Sequence, residues 1–269
     1  MAQKPQSKFL RPDWVPSVPK GMRILVVGAS GGIGTALCSL LAQGSECVIG
    51  AHGAGDAPSP DRFTGGKATK ATIIPLQRRF DEEADCSALI EAFCTEAGGI
   101  DGLVHLSGAL HFRGHWKDMP ASDWRRDMAV NLDHPFYLAR TAMAKMAAQG
   151  QGGRIVLNGT ESALHGGSAV SFPYAIAKRG TEAMVQGFAR EGAPDGILVN
   201  GVRLGYIRSG FHQRWHGRTE QQMAERADLV PLKRGGEPEE AAALFIYLLS
   251  GWASFMTGQM LALTGGDWL

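Results

Sequence analysis

The chain has 269 residues, in which 27 lysines and arginines nearly balance 26 aspartates and glutamates for a formal net charge of +1. Such a balance offers no basic surface for neutralising phosphates, which argues against nucleic acid as a partner. No uncharged apolar run approaches the roughly 20 residues that a membrane-spanning helix needs, and residues 1–20 contain no apolar export segment, so a cytoplasmic protein without a membrane role is expected.

One sizeable core is expected at this length. Residues 1–21 hold four prolines and no apolar periodicity and read as an irregular leader, with the domain proper spanning 22–269. From Met22 onward, short apolar runs alternate with amphipathic stretches. Strands are predicted at Ile24–Val27, Cys47–Ile49, Ala71–Leu76, Gly102–Leu106, Arg154–Leu157, Ile197–Arg203 and Gln259–Leu263. Helices are predicted at Ile33–Gln43, Glu82–Glu96, Ala121–Ala148, Tyr174 to about Glu191, and Pro238–Ser250. Near-continuous apolar strands alternating with helices indicate an α/β fold, a Rossmann-like doubly wound parallel sheet of about seven strands with helices on both faces. Two segments break the alternation. Gly53–Lys70 is a Gly/Pro/Asp-rich loop, and Gly205–Gly236, with a short helix around Glu220–Ala227, lies past a strand end where such sheets bind ligands and is expected to be a substrate lid.

The 36 glycines are about 13% of the chain, nearly twice the usual roughly 7%, and point to tight turns or to backbone meeting a ligand. One cluster has a defined context: Gly28-Ala29-Ser30-Gly31-Gly32-Ile33-Gly34 follows an apolar strand and opens a helix. A pyrophosphate can approach such a turn closely and meet the positive end of the helix. Further along, Tyr174 and Lys178 fall at i and i+4 on one helical face. Bringing a phenol that titrates near 10 towards neutrality with a neighbouring cation is worth roughly 4 kcal/mol, and a phenol so tuned exchanges protons with an alcohol or carbonyl. The four cysteines, Cys38, Cys47, Cys86 and Cys94, have no metal-ligand spacing and read as reduced thiols. No metal site is expected from the histidines either, since no helix-spaced pair or acidic partner organises them.

The glycine turn, the Tyr-x-x-x-Lys pair about 140 residues later and Asn131 between them together resemble the short-chain dehydrogenase/reductase family, over essentially the whole domain from Met22. Ile100-Asp101-Gly102-Leu103-Val104, Val130-Asn131-Leu132, Val199-Asn200 and Gly236-Glu237-Pro238 strengthen the resemblance. It implies an NAD(P)-dependent oxidoreductase that interconverts a secondary alcohol and a carbonyl in a small-molecule substrate. By the same resemblance, Tyr174 is the general acid/base, Lys178 lowers its pKa and holds the nicotinamide ribose, and Asn131 shapes a helix kink that anchors a water. The cofactor would be held by Gly28, Ser30, Gly31, Gly32, Ile33 and Gly34 of the turn, by Ser107 and Gly108, and by the Ile207 backbone and Ser209. A homotetramer or homodimer through the helices bearing Asn131 and Tyr174 is also implied.

The family pattern is not followed everywhere. Glu161 stands thirteen residues before Tyr174, where the family's serine usually sits. Alignment on the preceding strand puts Thr160 in that role, and a one-residue bulge puts Ser162 there instead. The turn His105-Leu106-Ser107-Gly108 replaces Asn-Asn-Ala-Gly, and Arg79 or Phe80 takes the place of the aspartate that touches the adenine. Ala51 stands where an acidic residue would select NAD, and His52 follows it where NADP-using relatives carry a basic residue. NADP is therefore favoured over NAD, with Arg78 or Arg79 as helpers, although Gly31 offers no accompanying base. His111, Arg113, His115, Trp116, His165, Phe211, Trp215 and His216 are expected around the substrate mouth, suiting a substrate with polar groups such as a sugar or a functionalised cyclic ketone. The competing readings are an NAD-dependent alcohol dehydrogenase and a catalytically weak nucleotide-binding scaffold.

Overall fold

The computed structural model describes residues 8–10, 12, 14, 16–168 and 170–267. Residues 1–7, 11, 13 and 15 of the expected leader and the side chain of His216 lie outside the described residues.

Seven parallel strands form one sheet: β1 (Arg23–Val27), β2 (Val48–Gly53), β3 (Thr72–Gln77), β4 (Gly102–His105), β5 (Gly153–Thr160), β6 (Ile197–Leu204) and β7 (Met260–Leu263). Their order across the sheet is β3-β2-β1-β4-β5-β6-β7. The helices are α1 (Gly32–Gly44), α2 (Asp61–Thr64), α3 (Glu83–Ala97), α4 (Ala121–Met128), α5 (His134–Gln149), α6 (Phe172–Gly192), α7 (Phe211–His216), α8 (Glu220–Leu229) and α9 (Pro238–Leu249). Alternate residues of each strand face opposite layers, which explains why the strands read as unbroken apolar runs. Ile24 and Val26 pack with Leu37 and Leu41 of α1 and Phe245 and Ile246 of α9. Leu25 and Val27 pack with Phe93 of α3, Leu138 of α5 and Val185 of α6. Each such side chain, removed from water, contributes about 1.5–3 kcal/mol.

The strand order reverses at β1, between β2 and β4, and the crevice above the carboxyl ends of β1 and β4 is where an open α/β sheet receives a ligand. No helix of the described residues is long and apolar enough to cross a membrane. The thiols of Cys38, Cys47 and Cys86 are buried, and burial pushes them up, Cys47 to about 11 and Cys86 to about 12.

Three local features depart from the sequence expectation. The single helix expected over Ala121–Ala148 is two helices joined by a π turn, Ala129–Asp133, in which the His134 amide donates to the Ala129 carbonyl. Pro135 follows immediately and has no N–H to offer the carbonyl of Asn131, which weakens regular α pitch there. Strand β2 runs to Gly53, beyond the expected end at Ile49, because β1 and β3 pair with it on both sides. Residues 205–236 hold two helices, α7 and α8, and not only the one around Glu220.

Candidate active site

Above the reversal point lies a cavity of about 550 Å³. It runs from the β1–α1 turn, past the ends of β4 and β5, to α7. Gly28, Ser30, Gly31, Gly32, Ile33 and Gly34 line its first part. Gly28 adopts φ +91°, and a Cβ there would come within 2.9 Å of the Ser107 amide nitrogen, so only glycine lets the two turns meet. The first turn of α1 carries no acidic side chain, which leaves its positive end open to an anion. Ser107, Gly108, Ile207 and Ser209 also line the cavity, the last two in the strand-like segment where Ile207 bridges to Gly236.

His52 and Phe80 form the wall beside β2, their rings stacked with centroids 5.1 Å apart. Burial marks His52, the position where the sequence suggests a base. Its ring is wholly buried, Nε2 faces the Arg78 carbonyl at 2.8 Å, and burial holds its pKa below the usual histidine value. The base present on this wall is Arg79. Arg78 turns away to Asp85, and Arg62 of α2 folds onto the glycine turn, donating to the Ser30 carbonyl at 2.9 Å and to Thr35 Oγ1 at 3.1 Å.

At the other end, Thr160, Ser162 and Tyr174 face the cavity together. Thr160 Oγ1 and Ser162 Oγ lie 3.1 Å apart, so both candidates for the serine position form one hydroxyl pair. Lys178 and Asn131 are not on the wall but behind it. Lys178 Nζ is buried 5.8 Å from the Tyr174 ring centroid and donates to the carbonyl and side-chain oxygens of Asn158, at 3.1 and 3.0 Å. Asn158, which also lines the cavity, was not evident from the sequence; its only signal is its place at the end of β5, two residues before Thr160. Burial lowers Lys178 to about 7 and raises Tyr174 above the usual phenol value. Desolvation is the cause of both shifts.

Asn131 sits in the π turn, where its Nδ2 donates to the carbonyls of Ala109 and Asp127 and its Oδ1 accepts from the Ala109 amide. Asp127, also missed by the sequence reading, accepts from the amides of His111 and Phe112. Together they clamp the chain that follows β4 beneath the cavity. The wall opposite the sheet comes from Phe211, His212, Arg214 and Trp215, with the Phe211 ring 5.7 Å from that of Tyr174. His111 meets the cavity only indirectly, edge-on to Trp215, and Arg113, His115, Trp116 and His165 are not on the wall. Among the described residues no group of three or more His, Cys, Asp or Glu side chains could hold a metal ion.

The doubly wound sheet, with a glycine turn and a phenol opening on one cavity, defines an oxidoreductase of Rossmann type. A family model described as enoyl-(acyl carrier protein) reductase matches residues 28–267. Among relatives, cis-4-hydroxycyclohexanecarboxylate dehydrogenase from Sinomonas cyclohexanicum is 31% identical over 245 residues, covering 90% of this chain and 94% of the relative. L-rhamnose 1-dehydrogenase (NAD(P)(+)) from Azotobacter vinelandii is 31% identical over 252 residues, covering 90% and 95%. A short-chain type dehydrogenase/reductase from Mycobacterium marinum superposes with a TM-score of 0.78 at 27% identity, covering 93% of this chain and 96% of that one. The chain belongs to the short-chain dehydrogenase/reductase family and is an enzyme acting on CH–OH groups.

Proposed function

We propose that the chain interconverts a secondary alcohol and a carbonyl by NADPH-dependent reduction, with Tyr174 as general acid/base. The observation that carries this reading is the convergence of the Tyr174 phenol and the Thr160–Ser162 hydroxyl pair on a cavity that begins at the glycine turn. The residues fit a dinucleotide: glycine at position 28 lets the turn pack against Ser107, where a Cβ would clash, and the positive end of α1 suits a pyrophosphate. When bound, the nicotinamide supplies the hydride.

The protein's own residues handle the oxygen. Thr160 and Ser162 donate to the carbonyl and orient it; Tyr174 gives its proton to the developing alkoxide. Lys178, fixed by Asn158, places its side-chain nitrogen 5.8 Å from the centre of the phenol ring, and Asn131 keeps the Gly108–Ala109 backbone in place. Gly28, Ser30, Gly31, Gly32, Ile33 and Gly34 would hold the phosphates, Ser107, Gly108, Ile207 and Ser209 the nicotinamide half, and His52 and Phe80 the adenosine. Arg79 is the residue to meet a 2′-phosphate. Residues 205–236 act as the lid, and the exposed Phe172 and Ile176 of α6 suit the expected homo-oligomer of a cytoplasmic enzyme.

NAD-dependent oxidation is the second reading, favoured by one observation, the burial of His52 against the Arg78 carbonyl beside the β2 end. Fluorescence titration of the protein with NADPH and NADH tests both. NADPH binding at least tenfold more tightly, about 1.4 kcal/mol, is expected; a preference for NADH overturns the cofactor assignment, and binding of neither overturns the dinucleotide site.

A further inference from the structure

Charge is unevenly settled at the lid end of the cavity. The carboxylates there are already matched: Glu161 lies 3.6 Å from Arg203, and Asp267 pairs with Arg226. Arg208 outside the wall faces Glu237 at 3.6 Å. Arg214 and Arg218 line the cavity, yet neither forms an ion pair among the described residues. The guanidinium of Arg113, in no ion pair among the described residues, reaches the same segment, with Nη1 3.8 Å from the place a Cβ would take on Gly217. Like charges gathered on one short segment repel one another and draw an ion of the opposite sign.

The position of this cluster relative to the reacting group is informative. Phe211 packs beside Tyr174, and Arg214 follows it by three residues, about 4.5 Å along the α7 axis. Trp215, next to Arg214 in sequence, supplies an apolar surface that His111 meets edge-on. A ligand spanning from the Thr160–Ser162 hydroxyls to α7 therefore meets hydroxyl donors at one end, aromatic faces in the middle and guanidinium groups at the other.

We infer that the substrate is an acid: a hydroxy or keto acid whose carboxylate, set away from the reacting carbon across a compact apolar body, is bound by Arg214 and Arg218 with Arg113 in support. This rests on the oxidoreductase reading for the reacting end. Guanidinium groups match a carboxylate with paired donors, so the site recognises the charge and its planar geometry. The charge is also a means of selection, because a neutral analogue leaves the cationic cluster without a counter-ion.

The test uses a keto acid and its methyl ester, 4-oxocyclohexanecarboxylate and methyl 4-oxocyclohexanecarboxylate, with the full chain saturated in NADPH or NADH, whichever binds more tightly. Binding is followed by calorimetry and turnover by nicotinamide absorbance. The acid is expected to bind at least tenfold more tightly than the ester, with the difference shrinking as salt rises. In the double variant Arg214→Gln, Arg218→Gln the acid-to-ester ratio should collapse towards one, and Arg214→Lys, Arg218→Lys should restore part of it. Equal binding of acid and ester by the unaltered chain, or binding of neither, overturns the inference. So does a rise in the dinucleotide Kd of the glutamine variant as large as the lost ratio, which assigns the arginines to the cofactor. Preference for a coenzyme A thioester over the free acid overturns it too, in favour of the coenzyme's phosphates. Selective binding of the acid without reduction keeps the acid site and removes the oxidoreductase proposal, whereas equal reduction of both does the reverse.

Discussion

Ser209 lies so close to Gly32 that a Cβ on Gly32 would sit 2.6 Å from the Ser209 carbonyl oxygen. The contact joins the segment after β6 to the first turn of α1, which are far apart in sequence. Gly32→Ala must push the two apart. A stability loss of about 1–3 kcal/mol is expected, as for other overpacked sites, together with at least tenfold weaker dinucleotide binding. Chemical denaturation and fluorescence titration measure the two effects; unchanged dinucleotide affinity would detach this contact from the cofactor site.

Tyr174→Phe keeps the ring against Phe211 and removes the hydroxyl that carries the proton. Turnover should fall by about 10² to 10⁴ while the thermal midpoint holds. Retained turnover in steady-state assays would remove Tyr174 from the chemistry.

The buried Lys178 sets a signature in stability. Its folded pKa is lowered to about 7 from an ordinary 10.5, so between these values the unfolded chain binds the proton and the folded chain releases it. Stability contributed by this group therefore rises with pH across that window, by about 2 kcal/mol between pH 7.5 and 9, and the penalty is fully present below 7. Urea unfolding at several pH values should show this slope, and Lys178→Met should flatten it.

The histidines act on the acid side. His52, His105 and His134 are each held below the usual value by burial, and His105 most strongly, with Nε2 buried and without a hydrogen-bond partner. The unfolded chain takes up their protons first, so stability is complete above about 6.5 and is lost as the pH falls below it. His105→Leu should lessen that loss in the same unfolding experiment.

Arg79→Ala should narrow the ratio of NADPH to NADH affinity by about tenfold, and His52→Gln should alter the ratio less, because the imidazole there is neutral. Titration of both variants with both nucleotides decides between them.

The sheet was legible in the sequence because strands covered on both faces must be apolar at nearly every position, as in Ile24-Leu25-Val26-Val27. The glycine turn and the Tyr174–Lys178 pair were legible because their chemistry depends on local spacing. What stayed hidden depends on distant partners. Gly50-Ala51-His52-Gly53 resembles a turn, and only pairing with β1 and β3 makes it strand and buries His52. Asn158 gains its role from a lysine 20 residues away, and Arg62 reaches the glycine turn from an insertion whose own sequence looks like plain loop.

The π turn between α4 and α5 also acts as a shift of phase. One extra residue in a turn rotates everything beyond it by about 100° relative to a regular helix. Upstream, that places Asp127 towards the amides of His111 and Phe112; downstream, Leu138, Ala142 and Met146 face the sheet. Two surfaces with different needs are thereby served by one nearly continuous rod. A single-residue deletion within 129–133 would restore uniform pitch at the expense of one of them, turning either the clamp or the core face out of alignment.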